Sequence, residues 1–367
     1  MPEAFKDLYN EKFYLTLSIH LNKCLVDFDQ EKFMQLMLSD NFEQLELKER
    51  MTHTKEILHQ FMPENFTKAT IVLVELIASL SDAGIKENSV EYMFLPEYIE
   101  TYGIDDYQIS IQAFEKITQF TSAEFAVRPF LIKYEQQMLS QMLLWCEHSH
   151  YMVRRLASEG CRPRLPWAIA LKQYKQDATL LLPILHTLFD DPTEIVRRSV
   201  ANNLNDIAKD NPDIVIEFTK QYIGKSTQSD RTVKHACRTL LKQACPEALA
   251  LFGYDSTDID LVEFKVLTEK VSIGTHADFA FAIKNNSEKA KKIRLEYGLY
   301  FMKKNGQLAR KVFKISERLL AANELHRVQR KQSFKLISTR IYYPGIHQVS
   351  IILNGKEFVA KDFELRP

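Results

Sequence analysis

The polar–apolar pattern of this chain changes period once, close to Tyr254. Before that point apolar residues return every three or four positions, the spacing of one buried helix face. Between Asn10 and Leu38 the series Phe13, Leu17, Leu21, Leu25, Phe28, Phe33 and Leu36 predicts helix, with Asp29 capping a fresh one over Gln30–Met37. Further amphipathic helices are predicted over Lys48–Phe61, Lys68–Ser81 and Ile109–Phe120, with Pro63 and Asn65 parting the first two. Glu91–Tyr107 is dense in aromatic and acidic residues. The front of the chain therefore reads as helix pairs with short connections.

From residue 121 the helical pattern repeats. Tyr151-Met152-Val153-Arg154-Arg155-Leu156-Ala157 is echoed by Glu194-Ile195-Val196-Arg197-Arg198-Ser199-Val200, and more weakly by Arg231-Thr232-Val233-Lys234-His235-Ala236. The three valines are separated by 43 and then 37 residues. A period of about 40 with two helices per unit is that of a HEAT-type α-solenoid, whose repeats stack on their neighbours and present a concave face. Each basic copy is expected to begin the second helix of its pair, on that face. Asp190-Asp191-Pro192 reads as an N-cap with a first-turn proline, and Ser229-Asp230 as the matching start of the next unit.

After Tyr254 the period falls to two, with β-branched and aromatic residues enriched. Strands are predicted over 260–267, 278–284, 291–303, 311–315, 325–337, 345–353 and 356–364. Asn354-Gly355 is a two-residue hairpin turn and Lys304-Asn305-Gly306 another turn. Seven strands of this kind predict an antiparallel sandwich of immunoglobulin type, with Tyr342-Tyr343-Pro344 resembling its tyrosine corner. The expected domains are a helical-repeat domain over 1–252 and a sandwich over 258–367, joined by a linker containing Gly253, Asp255, Ser256 and Thr257.

Charge changes this picture more than composition does. The totals balance at 48 Lys+Arg and 48 Asp+Glu. Residues 253–367 nevertheless hold 21 basic against 13 acidic residues, which leaves 27 against 35 in residues 1–252. A basic tail domain is hidden behind a net charge of zero. The five cysteines are scattered and form no Cys-x-x-Cys pair, as expected of reduced thiols in an intracellular protein. No leader pattern opens the chain, and no apolar run approaches the roughly 20 residues of a membrane helix. A cytoplasmic protein without membrane contact is expected.

The richest chemistry lies in Val153–Trp167, which holds Arg154, Arg155, Glu159, Arg162, Arg164 and Trp167. Gly160 is expected to end a helix in the left-handed conformation, and Pro163 and Pro166 to hold the following segment extended. From the residues alone, Glu159 is either a helix-end acid bound to Arg162 or a site carboxylate, and Trp167 either a core anchor or a contact aromatic. Glu124 is either a surface partner of Arg128 or a site acid. Asp206 belongs to a polar cluster, Asn202-Asn203-Leu204-Asn205-Asp206, that argues for a wet or ligand-lined face. Arg154, Arg155, Arg197, Arg198, Lys234 and His235 form a ladder that meets regularly spaced phosphates, or else binds Asp190, Asp191 and Asp230 of neighbouring repeats. Cys146-Glu147-His148-Ser149-His150 has no second ligand pair at a zinc spacing. A Gly-rich phosphate loop, His-Glu-x-x-His and Gly-x-Ser-x-Gly are all missing from the sequence, which leaves kinase, zinc-hydrolase and serine-hydrolase chemistry without support. No metal and no cofactor are expected.

The run Ser158-Glu159-Gly160-Cys161-Arg162-Pro163-Arg164-Leu165-Pro166-Trp167, with Glu124-Phe125-Ala126-Val127-Arg128-Pro129-Phe130 ahead of it and HEAT-like copies after, resembles the AlkC branch of the alkylpurine DNA glycosylases. The resemblance covers the helical domain, and an appended immunoglobulin-like domain matches the same architecture. It implies a monofunctional glycosylase of base excision repair that removes 3-methyladenine and 3-methylcytosine from duplex DNA. It also implies that a monomer holds the duplex in the concave channel, with the tail domain closing on it and no base-flipping pocket. On this resemblance Glu124 and Glu159 are expected to line the lesion, Trp167 to contact the charged nucleotide, and Asp206 to be a further candidate. Arg155 and Arg162 would hold the backbone there, and Arg154, Arg164, Arg197, Arg198, Lys234 and His235 would complete the DNA contacts. A non-catalytic HEAT scaffold that binds protein, or a DNA-binding protein without chemistry, are the competing expectations.

Overall fold

The computed structural model describes residues 5–39, 41–87, 89–337 and 340–367. Packing divides the chain into two units, the first containing the residues up to Val215 together with Gly224–Ala236, the second containing Ile216–Ile223 and Cys237–Pro367.

The first unit is helical. Helices α1 (Glu11–Cys24) and α2 (Gln30–Met37) are capped by Asn10 and Asp29, whose side chains accept the Phe13 and Lys32 amides. Helices α3 (Leu47–His59), α4 (Phe66–Asp82), α5 (Phe94–Tyr102) and α6 (Tyr107–Ile117) follow. The aromatic, acidic stretch after Gly84 thus supplies a helix of its own, because Phe94, Leu95, Tyr98 and Ile99 bury one face of α5.

Next come α7 (Val127–Lys133), α8 (Glu135–Cys146), α9 (Tyr151–Gly160), α10 (Lys172–Gln176), α11 (Leu182–Leu188), α12 (Glu194–Ile207), α13 (Pro212–Lys220) and α14 (Thr227–Ala236). The three basic copies fall on α9, α12 and α14. These lie side by side, α9 against α12 and α12 against α14, while α8 packs on both α9 and α11. This is the HEAT-like stack predicted from the 43- and 37-residue intervals. Val153, Val196 and Val233, the shared apolar position of the copies, are each fully buried.

Two helix starts differ from expectation. Thr193 is the cap residue of α12, and Asp191 acts just ahead of it by accepting the Thr193 amide at 2.8 Å. Ser229 and Asp230 lie inside the first turn of α14, where Ser226 Oγ accepts the Ser229 amide at 3.0 Å. Gly160 is also not a left-handed stop. It is the last residue of α9 and is absent from the positive-φ positions. Its role is a close approach, since a Cβ there would stand 2.6 Å from Val127 Cγ2 on α7.

The second unit is built on a β-sandwich. One sheet has the order β1 (Ile259–Val266), β3 (His276–Asn285), β6 (Leu325–Ser333). The other runs β2 (Lys270–Ser272), β9 (Lys361–Arg366), β7 (Gly345–Leu353), β4 (Lys291–Met302), β5 (Leu308–Leu320), with β8 (Lys356–Glu357) beside β7. Ala277, Phe279, Phe281 and Ile283 of β3 meet Leu295, Leu299 and Ile351 in the core, as the period-two pattern requires. Asn354 and Gly355 both have positive φ, the backbone of a tight hairpin turn. The tyrosine corner takes another form. Tyr342 sets its ring at a tilt to Phe334 at 5.2 Å, and Phe334 in turn meets His347, fully buried and bonded through Nδ1 to the Gly345 carbonyl.

Helices α15 (Arg238–Lys242) and α16 (Pro246–Leu251) belong to this second unit. Asn354 Nδ2 donates to Asp255 O at 2.6 Å, Lys292 Nζ donates to Phe252 O at 3.0 Å, and a Cβ at Gly355 would crowd Leu249 and Ala244 at 2.5 and 3.0 Å. Asp255 and Thr257 of the expected 253–258 linker are thus bonded to the sandwich, to Asn354 and Lys291.

Candidate active site and nucleic-acid interface

All twelve expected site residues lie in the helical unit. Six charged side chains there form one alternating row: Glu124, Arg155, Glu159, Arg162, Asp206, Lys209. Arg155 Nη1 donates to Glu124 Oε2 at 2.6 Å, and its Nη2 stands 3.8 Å from Glu159 Oε1. Arg162 Nη1 donates to Glu159 Oε1 at 2.5 Å, and Arg162 Nε donates to Asp206 Oδ2 at 2.9 Å. Lys209 Nζ closes the row on Asp206 Oδ1 at 2.9 Å. Burial alone would lower the Arg162 guanidinium, but Glu159 and Asp206 together hold it above its ordinary value. The helical period produces the row: Arg155, Glu159 and Arg162 sit at i, i+4 and i+7 around the end of α9.

The members of the row differ in what they leave open. Glu159 is 5% exposed and both its oxygens are occupied, Oε1 by Arg162 and Oε2 by the Ser199 hydroxyl at 2.5 Å. Asp206 is buried and holds Arg162 and Lys209. Glu124, at the end, takes both Arg155 and the Ser122 hydroxyl on Oε2, at 2.6 Å each. Its Oε1 has no partner among the described residues, and its side chain is partly exposed. One oxygen of this carboxylate is thus left open while fixed neighbours hold the other.

Trp167 lies on the 161–171 loop with 65% of its surface exposed and φ of +66°, a left-handed conformation rare for a bulky side chain. It is no core anchor. Two partners hold the loop in this shape. Lys48 Nζ bonds the Trp167 carbonyl. Arg128, fully buried, donates to the carbonyls of Gly160 (2.9 Å), Arg162 (2.8 Å) and Ile169 (2.7 Å). Burial pulls the Arg128 guanidinium down to about 10, which still leaves it charged at neutral pH. The alternative that made Arg128 a surface partner of Glu124 does not hold, since Arg128 is buried and braces the whole loop. The signal for this was its place between Val127 and Phe130 in an apolar run, where an unpaired arginine would be costly.

The basic ladder splits into two groups. Arg154 is consumed by structure: Asp191 at 2.6 and 3.1 Å, Thr193 at 3.2 Å, and the carbonyls of His148 and Ser149. Arg164 pairs with both oxygens of Asp210 at 2.9 and 2.6 Å, and Arg162 is committed as described. Of these, Arg154 makes the ion pair with Asp191 that the sequence offered as the alternative for the ladder, while Arg162 and Arg164, outside the ladder, pair with other acids. Arg197 and Arg198 instead line a cleft of about 360 Å³ between α12 and α14, together with Arg231 and His235. Arg197 bonds the Asp191 carbonyl at 2.5 Å, Arg198 is exposed, and His235 Nε2 sits 2.9 Å from Asn202 Oδ1. Lys234, next to His235 on α14, is half-buried. Arg231 was not singled out from the sequence, because it opens the weak third copy instead of forming its doublet.

No group of three or more His, Cys, Asp or Glu among the described residues could hold a metal ion. His148, from the one cluster considered for metal, sits 3.7 Å from Glu115 Oε1. Burial pushes the Cys146 and Cys161 thiols up to about 12, so both stay protonated at neutral pH. Among the described residues no helix is long and apolar enough to cross a membrane.

A HEAT-like stack with a buried charge row opening on one carboxylate defines a class that comparison with known proteins identifies. Residues 48–246 match the family model "DNA alkylation repair enzyme", and the chain belongs to that family. Residues 260–367 match the C-terminal Ig-like domain described for the uncharacterised protein YhaZ. The uncharacterized protein YhaZ of Bacillus subtilis (strain 168) is 39% identical over 361 residues, covering 98% of this chain and 99% of that one. The structure of Pseudomonas fluorescens alkylpurine DNA glycosylase AlkC, bound to DNA containing an abasic site analog, superposes with a TM-score of 0.94 at 32% identity, with all of both chains covered.

Proposed function

We propose that this protein is a monofunctional DNA glycosylase that hydrolyses the N-glycosidic bond of 3-methyladenine and 3-methylcytosine in duplex DNA, acting as a monomer. The observation that carries this reading is the open Oε1 of Glu124 at the end of a charge row that fixes its position. The full-length likeness to AlkC supports it.

The chemistry asks little of the protein. An N3-methylated base is already cationic, so when the C1′–N bond breaks its electron pair neutralises the leaving base and no general acid is required. What remains is an oxocarbenium-like sugar and a water that attacks it. A carboxylate can stabilise that cation by its field and accept the proton of the water, as in glycoside hydrolysis. Glu124 is the residue we assign to this work. Arg155 and Ser122 orient it, and Glu159 and Asp206 keep Arg155 and Arg162 in place. Trp167, exposed on its braced loop, offers a π face to the cationic nucleotide. Most glycosylases flip the target base out of the stack; the reading here is attack on a lesion reached within a distorted duplex. Arg197, Arg198, Arg231 and the Lys234–His235 pair are assigned to phosphates. The basic second unit adds sequence-independent affinity.

The test is direct. Duplex DNA carrying 3-methyladenine or 3-methylcytosine, incubated with the purified protein, releases the free base and leaves intact strands with abasic sites. Binding of the duplex without release would reduce the protein to a DNA-binding module. Absence of both would favour a scaffold.

A further inference from the structure

Beside the charge row lies a cavity of about 330 Å³ to which the excision step assigns no ligand. That volume is at the small end of those that hold small molecules. Helices α3 and α5 form two of its walls, and Ser122, Phe125 and Trp167 form the third. Ser122 is the residue whose hydroxyl donates to Glu124 Oε2, so the cavity and the carboxylate share a wall. The lining is mixed, its apolar part including Met51, Met93, Pro96, Phe125 and Trp167. Its polar groups come from both helices, Lys48, Thr52 and Lys55 on α3 and Glu97, Glu100 and Thr101 on α5. Glu97 accepts the Thr52 hydroxyl at 2.7 Å and Lys55 Nζ at 3.4 Å. Glu100 is half-buried, lines the cavity and has no hydrogen-bond partner among the described residues.

Burial, and then the neighbouring Glu97, push the Glu100 carboxyl up to about 7, against the opposing pull of Lys55 and Lys48 on α3. The 122–126 and 167–169 segments add no titratable side chain to the lining. A neutral carboxyl offers one donor and one acceptor side by side. Adenine-type edges present the complement, an exocyclic amine next to a ring nitrogen. A planar base between the methionines and the aromatic rings, with that edge on Glu100, satisfies both the shape and the open hydrogen-bonding groups.

We propose that this cavity is a product subsite, which receives the neutral methylated base after its bond to the sugar has been cut. The proposal rests on the glycosylase reading above. It makes the departing base a ligand of the enzyme, so that free base competes with turnover.

Equilibrium dialysis of the full-length protein against free 3-methyladenine tests it, with single-turnover excision measured alongside. Wild-type protein binds the base saturably, more tightly at pH 6 than at pH 8. Glu100→Leu weakens binding about tenfold, the loss of hydrogen bonds to one buried group, and leaves single-turnover excision unchanged. Glu100→Gln, which keeps a donor and an acceptor at every pH, retains binding and loses its pH dependence. No saturable binding by an enzyme that does excise overturns the subsite alone. Slowed single-turnover excision in Glu100→Leu also overturns it, because the cavity then acts on the lesion before scission. A wild-type protein that releases no base rejects the glycosylase reading instead. If Glu100→Leu fails to fold, the pH profile of Glu100→Gln decides the matter.

Discussion

At the scale of single residues, the sequence put Glu159 ahead of Glu124 as the working carboxylate, and their hydrogen-bond partners favour the reverse order. Glu159 is sealed between Arg162 and Ser199, whereas Glu124 keeps one oxygen open. Glu159→Gln replaces a buried anion that balances two arginines, so it leaves Arg155 and Arg162 poorly compensated. The expected result is a loss of about 1–3 kcal/mol in unfolding free energy together with slower excision, read by denaturant titration and base release. A variant of unchanged stability would show that the charge row is not structural. That both acids, Trp167 and Asp206 belong to one region was legible in the sequence. Which oxygen is open was not, since it depends on Ser122 and Ser199, small hydroxyls with no motif of their own, and on Arg128 turning inward.

At the scale of elements, the repeat was legible and its boundaries were not. The Val-basic-basic copies place α9, α12 and α14 because a buried valine recurs at each, which is a periodic signal. The helix starts depend on single hydrogen bonds from Asp191, Thr193 and Ser226, and several nearby residues were chemically able to make them. Gly160 was misread for a related reason: a glycine at a helix end signals either a left-handed turn or a close approach, and only packing distinguishes them. The contact with Val127 sets α9 against α7, and with it Arg155 against Glu124. Gly160→Ala should therefore destabilise the protein by about 1–3 kcal/mol through overpacking, despite the better helix propensity of alanine. Adding Val127→Ala should recover part of that loss. A thermal midpoint raised by Gly160→Ala alone would show that the approach is not tight.

At the scale of the whole molecule, zero net charge conceals an acidic front and a basic tail, and several of the cations expected at DNA are paired with acids. Arg154, Arg162 and Arg164 are held by Asp191, Glu159, Asp206 and Asp210, while Arg198 is exposed at the α12–α14 cleft. Arg198→Ala should flatten the salt dependence of duplex binding by about one unit of slope. Arg154→Ala should lower the thermal midpoint and leave that slope alone. Equal slopes for wild type and Arg198→Ala would remove the cleft from the DNA interface. The sandwich was legible, but in seven strands: β2 was missed, and the stretch predicted over 356–364 divides into β8 and β9. Its attachment to α15 and α16 was not, because Asn354 and Gly355 reach across about a hundred residues of sequence to Asp255 and Leu249.

The central claim is that Glu124 performs the chemistry on a cationic lesion. Single-turnover release of 3-methyladenine from a defined duplex, compared between wild type and Glu124→Gln with duplex affinity measured on the same preparations, tests it most directly. The account predicts a rate lowered by about 10²–10³-fold at nearly unchanged affinity. Wild-type release rates in Glu124→Gln would contradict it.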